Sequence, residues 1–550
     1  MATSIYPAYP PRLTPEQSDY LISNLKDWSI AHGLTVRPPA TFVSPDVDPQ
    51  GVLAGTAPVT LFPSPFPKAC FEEAKSIQTA YNQLYASIAN DEEWLKEIVE
   101  EIVEVDDFIA QLWNTHLAVK KEGYSEQDLS LGMFRSDYMV HVDPSASEPN
   151  PELRQVEFNT IASSFGGLAA RVSELHKYLH SISAYTADPL ISSSALPNNK
   201  SIASLTEGLA ASHELYGPSK SEPSLTRCVV IIVQDPERNV FDQRHIEYTL
   251  QTTHKIPIFR VPFEKVLTHL RVAPTEKRPL IYEPAHLKGT QFEVTTVYFR
   301  AGYAPSEYDS PAAWSARLQI ERSAAIKCPS VLTHLAGSKK IQQVLATPSS
   351  SHLSRFLSLP ACFRGPSDET RIRATFASIY PLDDTSEAGR HARELALNPT
   401  TAQGYVLKPQ REGGGNNVYR GAIPEFLQSI PEAHWKGYVL MEIIEPPALE
   451  NSIFRNGELA TGGVIGELGV YGVCIWKDSK RDESVSASTS TAEAPGTSGN
   501  ERPESAASTK PEILRNWEAG YLLRTKGSES EEGGVAAGFG SVDSCLLIDV

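Results

Sequence analysis

The chain has no Cys-x-x-Cys pair, no His-Glu-x-x-His or His-x-His cluster, no Gly-Lys-Ser/Thr of a Walker loop and no apolar run of membrane-spanning length. Each absence removes a class of function. Six cysteines stand far apart, at 70, 228, 328, 362, 474 and 545. They read as isolated thiols in a reducing cytosol, not as a disulfide framework or a zinc site. Fourteen histidines fall in no metal-binding pattern. No Ser/His/Asp or Cys/His arrangement stands out, so the chemistry is expected from positioning and electrostatics, not from a protein nucleophile. Basic residues are also in deficit: 49 Lys and Arg face 67 Asp and Glu, a formal net charge of −18. That excludes bulk nucleic-acid binding, which needs a basic footprint. An anionic substrate would need a local cationic pocket. The opening "MATSIYPAYPPRL" lacks a basic segment followed by an apolar one. No secretory signal is expected, and the expected location is cytoplasmic.

What is there suits a large soluble α/β protein. At 550 residues, with 41% hydrophobic and 21% charged residues, the chain can fill two or more cores. "LTPEQSDYLISNLKDWSIAHG" begins a helix, with Thr14 as cap, Pro15 at its first position, Gln17 completing a capping box and Gly33 at the stop. A Pro-rich passage follows, and then two long helices. Within "EWLKEIVEEIVEVDDFIAQLW", Leu95, Ile98, Val99, Ile102, Val105, Ile109 and Leu112 keep helical spacing. "RQVEFN" alternates like a strand, and "GGLAARVSELHKYLHSIS" is helical. A distinct parallel-sheet unit is placed at about 218–336, where "RCVVIIVQD", "FDQRHIEYTLQTTH", "KIPIFRVPF" and "TTVYFRAGY" read as strand, helix, strand and strand. "GYVLKPQ", "GYVLMEII" and "TGGVIGELGVYGVCIW" look like antiparallel strands. Residues 478–510 are rich in Ser, Thr, Ala and Glu, and are expected to be a disordered insertion joining two strands.

The segment "VLKPQREGGGNNVY" raises the functional question. Three consecutive glycines are unfavourable unless the backbone has work to do, and cradling an anion is such work. Lys408 supplies charge for phosphate, and Glu412 offers hard oxygens to Mg²⁺. Read alone, the stretch also fits an exposed hairpin loop. In the "RQVEFN" strand, Gln155, Glu157 and Asn159 share one face, with Val156 and Phe158 on the other. Glu157 and Asn159 then suit a shared cation; a polar strand face towards solvent is the plainer alternative. Arg135 in "MFRSDYM" can pair with a substrate carboxylate or with a structural acid. Arg238, Asn239, Gln243, Arg300 and Tyr303 lie at or after strand ends of the α/β unit, where ligands bind. Arg524 and Lys526 share a strand face before the loop Gly533–Ala537. Together they make either an anion clamp or a tolerant surface loop.

"FRSDYM", "VEFNTIASSFGGLAAR", "ERNVFDQR", "YFRAGY", "LAGSKKIQQ", "LKPQREGGGNN", "LMEIIEPP", "ELGVYG" and "LLRTKGSESEEGGVAAG" together resemble the eukaryotic glutathione synthetase family. The resemblance runs in order from about residue 12 to the end, apart from 478–510 and some loops. It implies a circularly permuted ATP-grasp fold of mixed α/β class, divided at about 1–217, 218–336 and 337–550. It also implies a cytosolic homodimer that uses ATP and Mg²⁺ to join γ-glutamylcysteine to glycine. Motif by motif, it implies Glu157, Asn159 and Glu412 as Mg²⁺ ligands, and it places Glu157, Lys339, Lys408, Gly413, Gly414, Asn417, Tyr419, Met441, Glu442, Ile443, Ile444, Glu467, Lys526 and Glu532 around ATP. In the "LMEII" segment, backbone groups would read the base edge. Around the peptide it places Arg135, Ser163, Ser164, Glu237, Arg238, Asn239, Gln243, Arg300, Tyr303, Arg524, Val535 and Ala536. Arg135, Lys408, Arg524 and Lys526 would act in catalysis. Two positions depart from the family pattern. Ala162 stands where a serine is frequent, and Ser306 where an arginine is frequent. Neither belongs to the metal or phosphate set. A synthetase using another small amino acid, of the homoglutathione type, is the alternative within enzymes. A non-catalytic nucleotide or thiol-peptide sensor would be expected to lack a metal ligand or phosphate lysine, and none is missing.

Overall fold

A computed structural model describes residues 5–123, 127–143, 150–185, 188–348, 351–357, 367–412, 415–478, 510–528, 530 and 540–550. Its largest sheet has seven strands. The order is Leu449–Arg455, Val59–Thr60, Gly540–Asp543, Glu512–Gly527, Glu458–Lys477, Leu129–His141 and Glu152–Asn159. Both faces of this sheet are covered. Helix Gln78–Asn90 buries Tyr81, Leu84, Tyr85 and Ile88 against one face, with Phe134, Phe158 and Trp476. Helices Gly166–Ser181 and Ser201–Leu215 bury Leu168, Val172, Leu175, Leu205 and Leu209 against the other, with Tyr471, Val473 and Leu522. Strands wet on neither side need few polar residues, which is why "GVYGVCIW" is almost wholly apolar.

The expected parallel strands are present. Thr226–Val233 pairs in parallel with Ile258–Pro262 and with Phe292–Phe299, which in turn pairs in parallel with Ile326–Cys328. Cys228 to Ile232 have no solvent exposure, as a strand covered on both faces requires. A third sheet is antiparallel, in the order Ile379–Pro381, Tyr438–Glu442, Tyr405–Pro409 and Val418–Tyr419.

The first helix is capped as its sequence demands. Thr14 Oγ1 accepts from the Gln17 N–H at 3.3 Å, Gln17 Oε1 accepts from the Thr14 N–H at 2.9 Å, and Gly33 takes the left-handed φ of +71° beyond the end. The apolar run at 94–113 differs from a continuous helix. It breaks into Glu92–Glu100 and Asp107–Glu122, because Asp106 caps the second segment by accepting from the Ile109 N–H at 3.1 Å. The strand Glu152–Asn159 also departs from simple alternation. A bulge opposite Asp137 and Tyr138 leaves Val156 unpaired, so Gln155 turns into the core while Val156 joins Glu157 and Asn159 on the cavity wall. Gln155 therefore does not share the face of Glu157 and Asn159.

Residues 479–509 lie outside the description, but their anchor points do not. Lys477 pairs with Glu512, so the chain leaves and re-enters one antiparallel pair at opposed positions. Replacing 482–508 with a short Gly/Ser linker is expected to leave turnover and the unfolding midpoint unchanged, since doubling a loop's length changes closure free energy by only about 0.6 kcal/mol. Activity assay and denaturant unfolding of the deletion check this; a large loss in either contradicts it. The five cysteines within the described residues are all buried and unpaired.

Candidate functional site

The seven-stranded and the antiparallel sheets line a cavity of about 1340 Å³. Its apolar end is a slot between Met139 and Val156 of the large sheet and Val406, Met441, Ile443 and Ile444 of the antiparallel one. Such an apolar lining with polar groups beside it suits a planar base. The Glu442 and Ile443 N–H groups are already used, by Ser378 O at 2.9 Å and Gly404 O at 2.8 Å. Those two donors are therefore unavailable to a base edge. Asn417 and Tyr419 stand at the same end, joined by a 3.2 Å hydrogen bond.

Beyond the slot lies a cluster of buried charge. Lys339 Nζ meets Glu157 Oε2 at 2.9 Å, and Lys408 Nζ donates to the Val156 carbonyl at 3.0 Å. That carbonyl belongs to the bulge, which therefore both seats a lysine and redirects the strand. Burial pulls the Lys408 ammonium down to about 8, with Lys339 adding to the shift and Glu157 opposing it. Burial would by itself raise the Glu157 carboxyl, but Lys339 and Lys408 outweigh it and hold Glu157 well below the usual carboxylate range. Glu412 is different. Burial pushes it up to about 7, Lys339 draws it down only in part, and the charge of Glu157 pushes it up again. Its Oε2 is buried with no hydrogen-bond partner.

That orphaned oxygen, beside an ionised carboxylate and an amide, is the chemistry a small hard cation requires. Asn159 donates its amide N–H groups to Asp137 Oδ2 at 3.0 Å and the Arg135 carbonyl at 3.3 Å, which leaves its oxygen as the acceptor. Among the described residues no three His, Cys, Asp or Glu side chains converge. A cation here would rest on two carboxylates and an amide, the sparse protein set that Mg²⁺ takes when water and phosphate complete its shell.

Asp137, quoted within "FRSDYM" yet assigned no role from sequence, is a hub beside this cluster, the cross-strand partner of Glu157. It has no solvent exposure. It receives Arg135 through Nε at 2.6 Å and Nη2 at 2.7 Å, Arg524 at 2.9 Å, and Asn159. Arg524 also pairs with Glu467, and Arg135 Nη1 donates to the Ser164 carbonyl at 3.2 Å, which Tyr471 OH also meets at 2.6 Å. One carboxylate thus orients two arginines and one metal-type amide. Lys526 lines the cavity two residues from Arg524, on the same strand face.

The residues of the parallel-sheet unit are brought near but not all into the cavity. Tyr303 lines it. Arg300, Asn239 and Gln243 lie buried behind the wall, and each keeps one polar side-chain atom without a partner. Glu237 accepts from the Asn239 N–H at 2.8 Å and from Gln243 Nε2 at 2.6 Å. Asp242, unassigned from sequence, joins this group to the "SSFGG" turn: it accepts from the N–H groups of Phe165 at 2.9 Å and Gly167 at 2.7 Å and pairs with Arg300 at 3.1 Å. Arg238 lies between Glu237 and Asn239, ahead of the helix Val240–Thr253, and its carbonyl accepts from the Arg37 N–H at 3.0 Å. Ser163 and Ala162 line the cavity, and Ser163 Oγ is buried without a partner beside the methyl of Ala162. Ser306 sits in the short turn Pro305–Glu307, away from the cavity. The segment from Tyr6 to Arg12 also lines the cavity, a contribution no motif announced. Gly413, Gly414, Glu532, Val535 and Ala536 lie outside the described residues.

Comparison with known proteins gives the family. The family model described as "Eukaryotic glutathione synthase, ATP binding domain" matches residues 15–547. The glutathione synthetase large chain of Schizosaccharomyces pombe is 36% identical, over 98% of this chain and 99% of that one. The glutathione synthetase of Homo sapiens is 35% identical over 96% and 97%. Among solved structures, a glutathione synthetase-like effector from Globodera pallida superposes with a TM-score of 0.67 over 98% of both chains, at 20% identity. By sequence along nearly its whole length, the chain belongs to the eukaryotic glutathione synthetase family of ATP-grasp ligases.

Proposed function

We propose that this chain joins γ-glutamylcysteine to glycine with ATP and Mg²⁺, through an acyl phosphate on the peptide's cysteinyl carboxylate. The observation that carries the reading is the cavity itself. One cavity is lined by an apolar patch, by Lys408, Glu157 and Glu412, and by Arg135 and Arg524. Those are the kinds of groups that adenine, phosphates and an acceptor carboxylate need within one space for in-line transfer.

In this reading Lys339 and Lys408 hold the phosphates, with Glu157, Asn159 and Glu412 holding Mg²⁺. When bound, Mg²⁺ neutralises phosphate charge that the lysines alone leave uncompensated. Arg135 and Arg524 keep N–H groups beyond their bonds to Asp137, and these orient the peptide carboxylate. A carboxylate oxygen attacks the γ-phosphorus and ADP leaves. Glycine's amine then adds to the acyl carbon, loses a proton, and expels inorganic phosphate carrying that oxygen. Lys526 screens the approach of the two anions. The acyl phosphate hydrolyses readily, so a cavity walled on several sides protects it. We assign the finer architecture as a circularly permuted ATP-grasp core, 1–217 and 337–550, with 218–336 inserted as the peptide-binding unit. The family's homodimer and its cytosolic location are carried over with it. Phe42, Val47, Val52 and Leu53, all exposed in one loop, supply an apolar surface for a second copy.

Purified protein should release ADP only when γ-glutamylcysteine and glycine are both present, and faster with glycine than with β-alanine or serine. Peptide labelled with ¹⁸O in the cysteinyl carboxylate should pass one label per turnover to phosphate. Unlabelled phosphate would exclude carboxylate attack, and a preference for β-alanine would favour the homoglutathione-type reading.

A further inference from the structure

Gly337 occupies the two-residue joint between helices Val331–Ala336 and Lys339–Ala346, the second of which carries Lys339. A glycine here needs a reason, because alanine loses less conformational freedom and is about 1 kcal/mol better in helical backbone. Backbone geometry is not the reason. Gly337 has φ −76° and ψ −5°, ordinary right-handed values that alanine adopts without strain. Space is the reason. A Cβ at Gly337 would stand 2.4 Å from Thr160 Oγ1, 3.1 Å from Thr160 Cγ2 and 3.2 Å from Glu412 Oε1. Thr160 is buried, follows Asn159 directly, and has its hydroxyl turned towards the His334 carbonyl at 3.5 Å.

Three pieces of chain meet at this point. The strand end brings Glu157 and Asn159, the segment before the glycine triplet brings Glu412, and the helix joint brings Lys339. They approach only because the joint presents no side chain. We infer that Gly337 is a positioning residue that sets the separation of the two halves of the cation site, and with it the affinity for divalent metal. The two contacts differ in severity. The 2.4 Å approach forces Thr160, and Asn159 with it, to move. The 3.2 Å approach to Glu412 Oε1 asks only a few tenths of an ångström from that carboxylate. Relieving the first contact should therefore restore most of what an added methyl removes, but not all.

This inference rests on Glu157, Asn159 and Glu412 being the cation site, and the test separates the two claims. Binding of Mn²⁺ is measured by electron paramagnetic resonance in the presence of a non-hydrolysable ATP analogue, with no turnover involved. G337A is expected to bind Mn²⁺ at least tenfold more weakly, the range seen when groups supporting metal ligands are disturbed. G337A/T160A, which removes both Oγ1 and Cγ2, should recover most of that loss. Wild-type affinity in G337A, or no recovery in the double variant, overturns the inference. E412Q is the control: if it binds Mn²⁺ like wild type, the cation-site reading fails, whereas weak binding in E412Q with normal binding in G337A removes only the role of Gly337. Should G337A not fold, G337A/T160A carries the test. Folded with Mn²⁺ bound several-fold more weakly than wild type supports the inference; unfolded, or of wild-type affinity, it overturns it.

Discussion

Asp137→Ala should abolish ligation and lower stability by about 3–5 kcal/mol, the range for removing one partner of a buried ion pair. The carboxylate is fully buried and holds both Arg135 and Arg524, so its loss leaves the buried Arg135 guanidinium without its paired carboxylate and Arg524 with Glu467 alone. Asn159 would lose its 3.0 Å acceptor in the same step and with it the orientation of its oxygen. Asp137→Asn keeps the shape and removes the charge, so it should show nearly the whole loss of turnover. Denaturant unfolding measures the first effect and kcat the second. Turnover in Asp137→Asn within a few-fold of wild type would show that the arginines hold their places without it.

Glu412→Gln should lower turnover by orders of magnitude while leaving the ligand-free protein at least as stable as wild type. The two effects share a cause. Burial raises the Glu412 carboxyl to about 7, above the ordinary value of 4.5, so the folded state binds this proton more tightly than the unfolded chain. Between those values the folded state holds more protons, and stability falls as pH rises, levelling above about 7. Glutamine cannot ionise, so this pH-dependent loss should vanish in the variant. The proton and the cation compete for the same oxygens, so metal and nucleotide should reverse the slope in wild type but not in Glu412→Gln. Thermal unfolding from pH 5 to 8, with and without Mg²⁺ and ATP, measures it. Identical pH profiles for the two proteins would refute the assignment of the slope to Glu412.

Much of this site could be read from residue order, for identifiable reasons. Lys339, Lys408, Glu157 and Asn159 sit in runs where polar residues interrupt apolar strands or open a helix, and such interruptions are visible without a structure. The bulge at Val156 was not visible. An extra residue in one strand leaves no mark in hydrophobic alternation, because Gln155 finds burial against Gln342, whose Nε2 lies 3.3 Å from Gln155 Oε1, on the face it was not expected to share. Asp137 and Asp242 were passed over because partners that give them their roles are distant in sequence: Asp137 binds Arg524 as well as the nearby Arg135, and Asp242 binds backbone N–H groups near residue 165. A carboxylate bonded across such separations is an ordinary polar residue until the sheets are assembled. The break at 101–106 in the second helical stretch is a milder case. The apolar stripe continues through it, and only the cap at Asp106 reveals that two helices share one face.

The buried cysteines set the terms on which this chain meets the product of its own family's reaction. Cys228, Cys474 and Cys545 have no exposure, Cys328 and Cys70 almost none, and burial raises the pKa of every one of these thiols above its ordinary value. Thiol–disulfide exchange needs an accessible thiolate, and these five sulfurs offer neither access nor charge. The product of that reaction is itself a thiol, so the enzyme meets a thiol, and the disulfide it forms on oxidation, at its own site. Sealed in the cores, these five side chains, the cysteines of the described residues, can stand in that redox couple without being titrated by it.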